Sequence, residues 1–88
     1  MPPKREKKKN DWQVYLLRCR DETIYTGVTN DIKKRMTAHQ RGTASKYTRS
    51  RLPVRLLKVS KFMKKADAMR LEIKIKKLPK KKKIGALD

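Results

Sequence analysis

Cysteine occurs once in these 88 residues, at Cys19, so neither a disulfide framework nor a zinc cluster can brace the fold, and packing must carry the stability. The longest apolar run is a few residues, too short for a transmembrane helix, and the basic start is not followed by the apolar segment a signal peptide needs. A cytoplasmic location is the expectation, with nucleoid or nuclear association compatible with the charge. Acidic residues are scarce, 8 Asp+Glu against 27 Lys+Arg, which leaves a formal net charge of +19. Such a chain repels itself on compaction and is drawn to a polyanion, for which nucleic acid is the leading candidate. The length allows one domain with a modest core.

What is present falls into an ordered series. Residues 1–10, Met1 to Asn10, form a Pro-Pro and lysine-rich arm with nothing to bury, expected to be disordered; it reads equally as a phosphate-tracking arm and as a solubilising tail or nuclear-import-like basic string. Residues 11–88 are expected to be a single domain. Trp12 to Cys19 and Thr23 to Val28 alternate apolar and polar residues, rich in β-branched and aromatic types, and predict a β-hairpin. A three-residue connection, Arg20-Asp21-Glu22, would pair Cys19 with Thr23 and Leu17 with Tyr25, placing Tyr15 and Tyr25 diagonally on one face; a two- or four-residue loop would separate them. A helix of roughly three turns follows, capped by Thr29 or Asn30 and ended by Gly42. Val54 to Phe62 reads as a third strand, with Leu56, Leu57, Val59 and Phe62 giving apolar contacts toward both faces. Lys65 to Leu78 reads as a second long helix, and Pro79 to Asp88, four consecutive lysines and then Ile84, Ala86 and Leu87, as a lysine-rich extension with a short closing helix. The fold class is therefore α+β, a small three-stranded antiparallel sheet flanked by helices.

Candidate functional groups cluster on the hairpin and its first helix. Arg35 and His39, at i and i+4, point the same way at the border of the face carrying Ile32 and Met36. Alone, Arg35 reads as a solvated cation and His39 as the partner of a backbone carbonyl; beside two same-facing phenols they read as a site. The polar stretch Gly42 to Pro53 interleaves Lys46, Arg49 and Arg51 with Tyr47, suited to backbone cations plus one stacking ring on a nucleic-acid strand, or to a connection whose tyrosine packs back on the domain. On the second long helix, Ala66, Met69 and Ile73 form one apolar stripe and Ala68, Leu71, Ile75 and Leu78 another, and Glu72 falls between them. A carboxylate there calls for a positive partner: Lys76, Lys65 or a metal ion.

Val14-Tyr15, then Tyr25-Thr26-Gly27, Lys34-Arg35 with His39, the stretch Gly42 to Arg49, and Ala68 to Lys74 resemble, in order, the GIY-YIG nuclease domain, specifically its small stand-alone, UPF0213-like branch. The resemblance runs from about Trp12 to about Leu78. It implies a metal-dependent endonuclease acting on DNA phosphodiesters, with RNA as the alternative polymer. It further implies one divalent ion (Mg2+ or Mn2+) held by Glu72, Arg35 stabilising charge on the phosphate, Tyr15 and Tyr25 near the attacking water, and His39 orienting or relaying the proton. Lys34, Lys46, Tyr47, Arg49 and Arg51 are the expected nucleic-acid contacts. So few carboxylates make a two-metal mechanism hard to build. Gln13 stands where the first motif usually has glycine and Thr26 where the second has isoleucine; neither change removes a reacting group. The asparagine often found downstream of the glutamate has no counterpart, since none follows Asn30. The competing reading is therefore a basic nucleic-acid-binding module that retains the fold without turnover. With no appended DNA-binding, zinc or helix-hairpin-helix unit expected, target choice would fall to the domain or to a protein partner.

Overall fold

The computed structural model describes residues 10–87. Nearly all of the basic arm expected at residues 1–10 lies outside them. Three strands, β1 (Gln13–Arg18), β2 (Ile24–Thr29) and β3 (Arg55–Val59), form one antiparallel sheet in the order β2-β1-β3. β1 is central because it pairs with β2 through a tight hairpin and with β3 across an irregularity between Leu16 and Leu17.

The hairpin has the three-residue connection. Leu17 lies opposite Tyr25, and the Cys19 N–H donates to Thr23 O at 2.9 Å. The turn closes when the Glu22 N–H donates to Cys19 O, and Glu22 takes φ 71°, the left-handed step such a loop requires before its strand resumes. Asp21 fixes that bend, its Oδ1 accepting from the Thr23 N–H at 3.1 Å and the Thr23 hydroxyl at 2.6 Å.

Helix α1 (Ile32–Gln40) is capped by Asp31, not by Thr29 or Asn30. The Asp31 carboxylate accepts from the Lys34 N–H, where a negative charge also meets the positive end of the helix, and Thr29 accepts from the Asp31 N–H, holding the cap itself. At the other end Gly42, at φ 78°, donates to His39 O while Thr43 donates to Ala38 O, a paired closure that satisfies two terminal carbonyls. Between α1 and β3 the expected loop contains a one-turn helix, α2 (Lys46–Arg49). Ser45 starts it by accepting from the Tyr47 and Thr48 N–H groups.

Helix α3 (Lys65–Lys76) packs on the sheet face opposite α1, and α4 (Lys80–Gly85) closes the chain. Val14, Leu16, Ile24, Ala68 and Ile75 form the core under α3, joined by Leu71, Ala86 and Leu87. Tyr15, Leu17, Cys19 and Val54 form a second cluster under α1, against Ile32 and Met36. Two apolar expectations fail here. Of the two stripes on α3, only the one carrying Ala68, Leu71 and Ile75 meets the sheet; Met69 and Ile73 are 41% and 52% exposed, because one helix can lay only one flank on one sheet. β3 ends at Val59, and Phe62, expected to join the packing, is 57% exposed. No helix among the described residues is long and apolar enough to cross a membrane.

Candidate active site

Strand alternation puts Tyr15 and Leu17 on the α1 side of the sheet, and the pairing puts Tyr25 and Gly27 beside them. Tyr15 lies across Gly27: a β-carbon at that glycine would sit 2.5 Å from both Tyr15 Cζ and Oη. Glycine is required there so that the phenol can lie flat over the neighbouring strand and reach the helix. It reaches His39. The Tyr15 hydroxyl is 2.7 Å from His39 Nε2, and both residues are almost wholly covered. Tyr25 completes the group, its ring centroid 6.3 Å from Tyr15 and 5.3 Å from the imidazole, with near edge-to-face geometry toward His39. Such ring pairs contribute about 0.5–1.5 kcal/mol each beyond area burial.

His39 is not satisfied by a backbone carbonyl. Its second nitrogen, Nδ1, lies 2.9 Å from Thr48 Oγ1, and Thr48 is fully buried. Thr48 is the member of this buried group that the sequence pattern did not single out. The available signal was Ser45, a helix-capping residue three positions earlier, which turns the chain so that Thr48 faces inward.

Charge on the group is set by burial and by two ionic neighbours. Burial first, then Tyr25, pushes the Tyr15 phenol well above the ordinary tyrosine range; Arg35 pulls it down and Glu72 up. Burial, then Arg35, lowers His39 below its usual value and favours the neutral imidazole. Arg35 and Glu72 thus both act electrostatically on Tyr15, one from α1 and one from α3. The Glu72 side chain is only 16% exposed, and Lys76 Nζ stands 3.7 Å from Oε1, a loose contact with a lysine that is itself half exposed. The helical salt bridge anticipated as the alternative partner is therefore present, though a single exposed ammonium compensates a largely covered carboxylate poorly.

The remaining predicted contacts divide. Lys34, with Arg35, Thr29 and Asn30, lines an open hollow of about 340 Å³ beside α1. Lys46 and Arg49 are exposed. Tyr47 packs back on the domain, stacked on Tyr25 at a 5.9 Å centroid distance, while keeping 38% exposure. Arg51 is committed elsewhere: its guanidinium lies 3.8 Å over the Tyr47 ring, donates to Asp21 Oδ2 at 2.9 Å and to Tyr47 O at 2.9 Å. It ties α2 to the hairpin loop and clamps Tyr47, while its side chain stays about a third exposed.

Could the residues hold a divalent cation? Among the described residues there is no group of three His, Cys, Asp or Glu suited to a metal. The described residues therefore offer no all-protein donor cage for a softer metal. A hard, Mg2+-like ion fits, because it takes one or two carboxylates and fills its other positions with water and phosphate oxygens. Glu72, covered and loosely paired, fits that demand.

The family described as the GIY-YIG catalytic domain matches residues 11–84. The chain is 45% identical over 75 residues to a UPF0213 protein of Oceanobacillus iheyensis, covering 85% of this chain and 87% of that one. It is 47% identical over 76 residues to a UPF0213 protein of Nitratidesulfovibrio vulgaris, covering 86% and 69%. Among solved structures it is similar to the solution NMR structure of a UPF0213 protein from Bacillus halodurans, with a TM-score of 0.51 and 43% identity over 82% of this chain and 77% of that one.

Proposed function

Because the chain belongs to the GIY-YIG catalytic-domain family, we propose that it is a metal-dependent endonuclease that hydrolyses DNA phosphodiester bonds, acting on structured or damaged DNA. The observation that carries this reading is the Tyr15 hydroxyl held 2.7 Å from a neutral, buried His39 beside Arg35. Hydrolysis needs water deprotonated and aimed at phosphorus, and a phenol whose ordinary pKa is about 10 is a poor base at neutral pH. Burial makes Tyr15 poorer still as a free tyrosinate. A relay avoids that cost: as the Tyr15 oxygen takes a proton from water, its own proton passes to His39 Nε2, and no tyrosinate accumulates. The hydroxide formed attacks phosphorus, the bond to the leaving oxygen breaks, and that oxygen is protonated from solvent.

Arg35 stabilises the charge that builds on the non-bridging oxygens, and Tyr25, less covered than Tyr15, orders water at the mouth of the site. Glu72 would hold one Mg2+ or Mn2+ ion, which when bound supplies Lewis-acid polarisation of the phosphate. Lys34, Lys46 and Arg49 contact backbone phosphates, and the exposed part of Tyr47 offers a stacking edge. The +19 charge supplies affinity without sequence, so binding should weaken steeply with salt as counterions are released.

A cleavage assay across single-stranded, duplex, flap and branched DNA, with and without Mg2+ or Mn2+, tests the proposal. Cleavage is expected in metal, and is expected to be lost in Arg35→Ala and Glu72→Ala while DNA binding persists. If the parent binds all these DNAs but cuts none, the non-catalytic binding module takes its place. The raised pKa of Tyr15 and the missing downstream asparagine are the observations that favour that second reading.

A further inference from the structure

His39 is the only histidine in the chain, and each of its ring nitrogens faces one hydroxyl: Nε2 faces Tyr15 at 2.7 Å and Nδ1 faces Thr48 at 2.9 Å. A neutral imidazole carries one ring proton, so one nitrogen donates and the other accepts, and the partners decide which. Tyr15 and Thr48 can each donate or accept, which by itself leaves two arrangements. A third group separates them. The Thr48 hydroxyl also approaches the Ser45 carbonyl oxygen, at 3.3 Å, one helical turn back across α2. A carbonyl oxygen can only accept. With the Thr48 proton donated to the Ser45 carbonyl, whose other lone pair takes the Arg49 N–H at 3.0 Å, the Thr48 oxygen turns lone pairs toward Nδ1, and Nδ1 then carries the imidazole proton. Nε2 is then bare and accepts from Tyr15.

We propose that Thr48, oriented by the Ser45 carbonyl, is a positioning residue that fixes His39 as the Nδ1–H tautomer, so that Nε2 stands ready as the acceptor of the Tyr15 proton. The chain of donors is complete: Tyr15 O–H to His39 Nε2, His39 Nδ1–H to Thr48 Oγ1, Thr48 O–H to Ser45 O. It differs in one respect from the arrangement in which a carboxylate holds the second imidazole nitrogen. A neutral hydroxyl fixes the tautomer but stabilises the imidazolium far less than a carboxylate would. A proton received at Nε2 therefore meets no compensating charge from Thr48 and repulsion from Arg35, and it is passed on rather than stored. The one-turn helix α2 gains a purpose in this account, since Ser45 both starts that helix and aims its hydroxyl-bearing residue at the imidazole.

The catalytic consequence rests on the nuclease reading; the tautomer does not. The test is nitrogen-15 NMR of protein labelled at histidine, where one histidine gives an unambiguous assignment, at a pH of about 8, above the ordinary histidine range. The expected spectrum has a protonated-type Nδ1 with its one-bond N–H coupling and an unprotonated-type Nε2. In Thr48→Val the Nδ1–H loses its acceptor and the ring should move toward the Nε2–H form, while Thr48→Ser should restore the parent signature. If the parent cleaves DNA, Thr48→Val should slow cleavage without changing DNA affinity, and Thr48→Ser should recover the rate. A parent spectrum with the proton on Nε2 overturns the proposal, even if Thr48→Val does not fold. A folded Thr48→Val variant that keeps the Nδ1–H form overturns it as well. If no DNA is cut while the tautomer results hold, the nuclease reading fails and the positioning of His39 by Thr48 stands.

Discussion

The two faces of the sheet are closed by different materials. Under α3, the fully covered residues are Val14, Leu16, Ala68 and Ile75, which carry no polar side-chain atom. Under α1, Tyr15, His39 and Thr48 are as thoroughly covered, yet each brings a hydroxyl or ring nitrogen that must be matched. They match one another, through Tyr15–His39 at 2.7 Å and His39–Thr48 at 2.9 Å. The α3 face therefore obtains stability from removing carbon from water, at about 25 cal/mol per Å², whereas the α1 face gains only the small net return of buried hydrogen bonds and would lose more if any were broken. A domain this small can maintain a polar interior on one side because the other side is apolar apart from Thr26, which is buried opposite Leu16 with no hydrogen-bond partner for its hydroxyl among the described residues. Glu72 belongs to the helix of the apolar face and acts electrostatically on Tyr15 of the other.

Substitutions can separate the two materials, and the largest effect belongs to the apolar face. Ile75→Ala should cost on the order of 3 kcal/mol and lower Tm by roughly 10–20 °C in a domain this size, measured by thermal and urea unfolding, with the residual folded protein keeping the His39 NMR signature. A small Tm change would mean that α3 is not what anchors the sheet.

Gly27→Ala comes next. Its new β-carbon would meet the tip of Tyr15 at 2.5 Å, so the phenol must move off the strand. The expected cost is about 1–3 kcal/mol, together with loss of the hydrogen bond to Nε2 seen in the histidine nitrogen shifts. Unchanged shifts in a stable variant would show that Tyr15 reaches His39 by another path.

Acidification gives a smaller effect confined to the α1 face. A histidine whose folded pKa lies below its unfolded value takes up its proton more readily when unfolded. Stability is therefore present above the ordinary value of 6.5 and declines as pH falls below it. The parent Tm should drop between neutral pH and mildly acid pH, and His39→Gln should remove that drop. An identical decline in both would place its origin away from His39. The smallest effect is expected at the surface clamp: Arg51→Ala should leave Tm nearly unchanged, because its partner Asp21 is exposed, while increasing the fluorescence quenching of Tyr47 by added iodide. Quenching equal to the parent's would mean that Tyr25 alone holds the ring.

The sheet was legible because alternation has a period of two and a three-residue turn leaves one register; Leu17 opposite Tyr25 and the shared face of Tyr15 and Tyr25 follow from that arithmetic. Helix α3 was legible by its stripes, but periodicity could not say which stripe met the sheet, because Ala66-Met69-Ile73 and Ala68-Leu71-Ile75 are equally apolar and only tertiary packing chooses between them. Helix α2 has four residues, too few to display a period, so Thr48 was hidden with it. The Arg51 clamp was hidden for a different reason: it depends on Asp21, 30 residues away, and no local pattern announces a contact at that separation.

The central claim is that Glu72 and Arg35 act with the Tyr15–His39 pair on one phosphate. Single-turnover cleavage of the best-cut DNA, in Mg2+ or Mn2+, tests it most directly when Glu72→Gln is compared with the parent at equal DNA occupancy. Glu72→Gln keeps the size of the side chain and removes its charge, so the account predicts a rate lower by roughly a hundredfold or more, with affinity and Tm close to the parent's. A Glu72→Gln variant that cuts as fast as the parent would contradict it.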